Sequence, residues 1–152
     1  MRFLALAFAL AAALACSGDD VSPEQQLRAL VQSAQDAANA QDADALQALV
    51  AESYADERGF AKVDIDRTIA LQLLRGRPYV LLRVQELALQ ESGGAQIKVL
   101  AGMARVPVGG FEEMRRLSAD VYVFELDLAQ ADDAWHVTAA RWRPALPADL
   151  SL

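Results

Sequence analysis

Around Pro78 the apolar residues of this 152-residue chain change their spacing, and that change sets which elements it can form and in what order. Before Pro78, Leu27, Leu30, Val31, Ala34 and Ala38 recur at helical intervals. They follow Ser22-Pro23-Glu24-Gln25, in which Ser caps, Pro suits the first helical position and Gln25 completes a capping box. This predicts a helix from Pro23 to about Gln41. Asp42 is a second cap, for a shorter helix through Ala45, Leu46, Leu49 and Val50. The polar stretch 52–59 reads as a turn carrying Tyr54. A third helix is expected from near Asp64 to Gly76, with Ile65, Ile69, Leu73 and Leu74 inward and Arg77-Pro78 as its stop.

Beyond Pro78 the period becomes two. Val80, Leu82 and Val84 share a face, which Leu87 and Leu89 resume after a slip near Gln85-Glu86, the signature of a β-bulge. Ser92-Gly93-Gly94 is expected as a hairpin loop, placing Leu89 opposite Ile97 and Leu87 opposite Val99. Ile97, Val99, Ala101 and Met103 continue that face. Residues 108–116 read as a connection with Gly109-Gly110 and four charges; strands follow over 117–128 and 135–143, ended by Pro144 and Pro147. Helices followed by long antiparallel strands, one of them bent, make an α+β domain with the helices on one sheet face. The domain spans 22–147, with no internal repeat.

The amino end carries a different message. Met1-Arg2 precedes an uncharged apolar run from Phe3 to Ala15, 13 residues long. As a helix that run spans about 20 Å, short of the roughly 30 Å hydrocarbon core, so it reads as a secretory signal covering residues 1–15. Ala13-Leu14-Ala15-Cys16 resembles the lipobox of bacterial lipoproteins at Ala15 and Cys16 and departs from it at Ala13 and Leu14. The same residues fit ordinary Ala-x-Ala cleavage. The resemblance implies a diacylglyceryl thioether on Cys16, a tether over 16–21 and membrane partnership through lipid. Ser17 after the Cys implies the outer membrane, facing the periplasm; the alternative is a soluble secreted protein.

Charge and composition exclude other classes. Lys plus Arg number 14 against 21 Asp plus Glu, a net −7 that argues against a nucleic-acid partner. One Cys and one His leave no cysteine cage or paired-histidine site, and no metal or cofactor motif is present.

The element order and the string 44–54, Asp44-Ala-Leu-Gln-Ala-Leu-Val-Ala-Glu-Ser-Tyr54, are similar to the nuclear transport factor two-like, or SnoaL-like, superfamily. That resemblance covers roughly 22–143. It implies a cone in which a strongly curved sheet wraps helices around a pocket, and a dimer formed through the outer sheet face. Leu100, Ala104, Ala119, Val121, Val123 and Ala140 are expected on that outer face as an apolar patch. The superfamily includes enzymes and non-catalytic domains, so the fold alone leaves function open.

The catalytic residues of ketosteroid-isomerase-like members do not map onto this sequence, and His136 stands alone beside a turn, a partly exposed strand residue. If the last two strands pair around Ala131-Asp132, Asp120 lies beside Arg143 and Tyr122 beside Arg141. Arg141 or Arg143 then recognises an anion at the pocket mouth, with Tyr54, Tyr122 and Trp142 as walls. The plainer interpretation is a cross-strand ion pair with an ordinary aromatic core. The expected function is non-catalytic binding of a small ligand or envelope protein. The alternative is a small periplasmic isomerase, dehydratase or hydrolase with Asp120 as acid or base.

Overall fold

The computed structural model describes residues 20–117 and 119–151; the expectations for Ala13, Leu14, Ala15 and Cys16 lie outside them. Three helices come first: α1 (Pro23–Asn39), α2 (Ala43–Ala48) and α3 (Lys62–Gly76). Strands β1 (Tyr79–Leu89) and β2 (Ala95–Ala104) follow. A short helix, α4 (Phe111–Arg116), leads to β3 (Asp120–Ala131), β4 (Ala134–Pro144) and a 3-10 turn, Pro147–Leu150. The sheet is antiparallel in the order β1-β2-β3-β4, so the α+β class with helices on one face holds.

The local signals at the helix starts are present in the structure. Ser22 Oγ accepts the Gln25 N–H at 3.3 Å while Gln25 Oε1 accepts the Ser22 N–H at 3.1 Å, completing the box. Asp42 Oδ1 accepts the Ala45 N–H at 2.9 Å. α2 stops at Ala48 because Leu49 to Ala55 leave the helix to run along β4. Ala51 N donates to Val137 O at 2.9 Å, Val137 N to Leu49 O at 2.9 Å and Ala55 N to Thr138 O at 3.1 Å. At the opposite edge α1 takes the place of a strand. Asn39 brackets Val80 with two hydrogen bonds of 2.7 and 2.9 Å, and Gln35 accepts the Leu82 N–H at 2.7 Å. These contacts satisfy backbone groups that an open edge leaves bare.

The core lies between α1 and the sheet, where Leu27 and Val31 pack with Ile97, Val99, Leu128 and Trp135. Facing pairs run across all four strands on this helical side: Leu82–Ala101–Tyr122–Pro144, Val84–Val99–Phe124–Trp142 and Leu87–Ile97–Leu126–Ala140. The bulge sits between Val84 and Glu86, where the phase of the sequence slips.

The first hairpin corrects the expected register. Its loop is Glu91-Ser92-Gly93, closed by Gln90 N to Gly94 O at 2.9 Å, so Leu87 faces Ile97 and Leu89 faces Ala95. Gly93, at φ +87°, takes the left-handed position such a loop requires, and the second glycine, Gly94, lies between the loop and β2. The inward face is unchanged, because the shift is two residues. Two further corrections concern helices. Leu74 is 81% exposed, since it sits about 100° round α3 from Leu73. The connection at 108–116 contains α4, whose Glu112 and Glu113 in the first turn and Arg115 and Arg116 in the last complement its dipole.

Much of the apolar part of the outer face is covered from within the chain. Met114 of α4 is fully buried and sits in a notch left by Gly102, beside Phe111. Further along, the C-terminal turn is latched to both edge strands through Asp149. Its carboxylate accepts from Arg143 at 2.7 and 2.9 Å and from the Leu146 N–H at 2.7 Å, and its carbonyl accepts from Gln85 at 2.7 Å. Leu100 and Val123, on the two strands between, are 0% and 1% exposed. The expected bare patch is therefore buried at Leu100, Ala104 and Val123, and Ala140 points to the helical side opposite Leu126.

Candidate functional site

The expected pairings of Asp120 with Arg143 and of Tyr122 with Arg141 are overturned. Asp132 and Asp133, at φ 52° and 61°, form a two-residue turn that pairs Ala131 with Ala134. A bulge at Thr138 then changes the phase of β4. Tyr122 consequently faces Pro144, Val123 faces Arg143 and Glu125 faces Arg141. Trp142 joins Tyr122 and Phe124 on the helical side, while both arginines turn to the outer face. Asp120 keeps the parity of Tyr122, is exposed at the start of β3 opposite Met103, and its side chain makes no hydrogen bond or ion pair among the described residues.

The arginines are engaged inside the chain. Arg141 meets Asp127 at 3.3 Å, Glu125 at 3.4 Å and Glu57 at 3.8 Å, and the Asp127 charge raises its already high pKa. Hydrogen bonds from Arg143 and Leu146 hold the Asp149 carboxyl well below the usual range. A groove of about 400 Å³ on the outer face is lined by Glu86, Gln96, Lys98, Glu125, Asp127 and Arg141. The charges in its central row alternate in sign across the four strands, Glu86–Lys98–Glu125–Arg141, which favours mutual pairing over capture of a single-sign ligand.

A second cluster forms where the 52–60 loop meets β4. Tyr54 is 3% exposed and its hydroxyl donates to Asp56 Oδ2 at 2.9 Å. Asp56 Oδ1 accepts the N–H groups of Arg58 at 2.9 Å and Phe60 at 3.1 Å, so its side chain shapes the loop as an Asx turn. Burial alone raises the Asp56 pKa, but the Phe60, Tyr54 and Arg58 donors together hold it below the ordinary carboxylate value. Arg58 Nη2 donates to Trp142 O at 2.9 Å, and the guanidinium lies 4.0 Å from the centre of the Trp142 ring. The indole also stacks with Phe124, ring centres 6.0 Å apart. Tyr54 and Trp142 of the expected set thus come together, by way of Asp56 and Arg58, which the sequence reading passed over. The available signal was an Asp placed two residues before Arg58 and four before Phe60, an Asx-turn pattern inside the stretch read only as polar.

Burial, then the Asp56 carboxylate, raises the pKa of the Tyr54 phenol above its ordinary 10.0. The folded chain therefore holds this proton after the unfolded chain begins to release it, so stability falls as pH rises above about 10. Tyr54→Phe is expected to flatten that alkaline decline while costing about 1 kcal/mol at neutral pH through the lost hydrogen bond. Urea midpoints at pH 8 and pH 11 check this; equal alkaline loss in both proteins would contradict it.

Beyond α1 the helical side is less fully buried. α3 packs on α2, through Lys62 Nζ to Gln47 O at 2.9 Å and Gln47 Nε2 to Asp66 O at 3.0 Å. None of its residues is buried: Ile65, Ile69 and Leu73 are half-buried, as are Leu82, Tyr122, Phe124 and Trp142 on the sheet.

No protein-family model matches the sequence, and no curated protein does. Solved structures do match in shape. Bd1075 of Bdellovibrio bacteriovorus aligns with a TM-score of 0.61 at 16% identity over 81% of this chain, which spans 41% of that protein's chain. An NTF-2 like protein of unknown function from Shewanella oneidensis aligns at 0.60 with 16% identity, over 80% of this chain and 98% of the other. An uncharacterised cystatin-like-fold protein of Caulobacter vibrioides aligns at 0.60 with 12% identity, over 82% and 91%. The chain therefore has the nuclear transport factor two-like, cystatin-like fold: helices on a curved antiparallel sheet. At these identities the likeness carries the fold alone.

Proposed function

We propose that this protein is a lipid-anchored cell-envelope protein, of the outer membrane facing the periplasm, whose domain binds a small, largely apolar ligand on its helical side without transforming it. The observations that carry the binding reading are α3, a 15-residue helix that packs on α2 and has no buried residue, and the aromatic residues on the helical side of the sheet, which are themselves half-buried. A protein of this size gains stability by burying such surface, and leaving it open in one place suits a ligand. The Asp120 carboxylate, exposed and without a hydrogen-bonding partner among the described residues, is not positioned by a neighbour as an acid or base, and this favours binding over the catalytic alternative that uses it. A protein partner is the second reading, favoured by Val63 and Leu74 of α3 at 61% and 81% exposure.

The anchor rests on the apolar leader and Cys16. Two or more acyl chains suffice for stable attachment at about 0.8 kcal/mol per buried methylene, and the acidic chain gains little from anionic headgroups. Palmitate labelling in a Gram-negative host is expected to mark the wild type and to vanish in Cys16→Ala, with the variant leaving the membrane fraction. Equal labelling of both would end the proposal.

A further inference from the structure

Resting on the binding reading above, we infer that the ligand is an amphipathic anion: an apolar body against Trp142, Phe124 and Tyr122, and an acid group held by Arg58. The loop leaves this guanidinium with unused donors. Among the described residues no carboxylate lies within salt-bridge distance of Arg58, although two acidic residues immediately precede it. Asp56 spends both oxygens on Tyr54 and on the loop's own N–H groups, so it feels the Arg58 charge without accepting a bond from the guanidinium, and Glu57 turns to Arg141 at 3.8 Å. One Arg58 contact, to Trp142 O, and the stacking on the Trp142 ring fix the group in place. An arginine held over an aromatic ring keeps its remaining N–H groups, which lie in one plane and suit a carboxylate's two oxygens. Arg141 and Arg143 cannot serve this side, since both face outward and both are paired. Lys62, the nearest cation on α3 in sequence, is tied to Asp66 at 3.3 Å and to Gln47 O.

The test compares decanoate with 1-decanol by isothermal titration at neutral pH. It uses the full chain carrying Cys16→Ala, which retains every element of the fold. A carboxylate is better hydrated than a hydroxyl, so an apolar pocket alone prefers decanol. Decanoate is expected to bind at least about tenfold more tightly, as a charge-assisted pair allows. Adding Arg58→Gln should abolish that preference, so that decanoate binds no more tightly than decanol to the same variant; Arg58→Lys should keep part of it. Circular dichroism checks that each variant is folded. Decanol binding as tightly as decanoate, or a decanoate preference that survives Arg58→Gln, overturns the anion inference and leaves the pocket standing. Binding of neither probe removes the pocket reading as well.

Discussion

Gly102→Ala is expected to destabilise the domain by about 3 kcal/mol, the upper range for forcing atoms into a well-packed site. A Cβ at this position runs into the Met114 sulfur and lies 3.3 Å from a Phe111 ring carbon. Met114 is fully buried, and α4 has little freedom to retreat because Phe111 is itself covered by the Arg83 guanidinium at 4.9 Å. The cost should therefore appear as lost packing of α4 on the sheet. Shortening the obstacle tests the mechanism: Met114→Ala alone destabilises by leaving a cavity, whereas the double variant should recover at least about 1 kcal/mol relative to the sum of the two. Urea unfolding of the four proteins measures this coupling. Additive losses, or a Gly102→Ala effect below about 0.5 kcal/mol, would show that the notch is not tight.

Leu27→Ala is expected to cost about 3–4 kcal/mol, within the range for a buried leucine whose cavity cannot collapse. Leu27 is 0% exposed and anchors the first turns of α1 against Ile97, Leu128 and Trp135. Gln26, its neighbour, accepts the Trp135 indole N–H at 3.1 Å, so the same turn carries a polar tie to the start of β4. Ser22 and Gln25 cap the helix just upstream, which restricts how far α1 can shift inward to fill the void. Leu74→Ala, at an 81% exposed position, is the natural control and should change stability by less than about 0.5 kcal/mol. Comparable losses at Leu27 and Leu74 would mean that the core is not centred on α1.

Both substitutions probe places that differ in how readable they were beforehand. Leu27 stands first in a helical stripe behind a complete capping box, and both features are local, so its burial followed from spacing. The α1 start, the Asp42 cap, the β1 bulge and the end of α3 were legible for the same reason: each depends on residues within about one turn. Gly102 gave no such signal. Its meaning comes from Met114, twelve residues away across a connection, and from an α4 whose only local mark is acid before base over six residues.

The candidate site shows the same division more sharply. Tyr54, Tyr122 and Trp142 were singled out as aromatic walls, and the structure brings Tyr54 to the strand that carries Trp142 and sets Tyr122 and Trp142 on one face. Arg141 and Arg143 were placed on that face too and are on the other. The tight aspartate turn moves the pairing by two residues and leaves the faces as expected, but the bulge at Thr138 adds one, and a change of one residue sends every later side chain to the opposite side. Arg58, the cation that does meet the aromatic face, arrives from a loop 84 positions earlier in the chain.

By itself the amino-acid sequence determined the order of the first three helices and the four strands, the caps, the bent first strand and an α+β layering. These follow from periodicity and short-range hydrogen bonding. Only the tertiary structure decided which charges share a face with which aromatics, and that the apolar part of the outer face is covered by α4 and the Asp149 latch. Those outcomes depend on register and on contacts between distant segments, and alternation along a strand is blind to both.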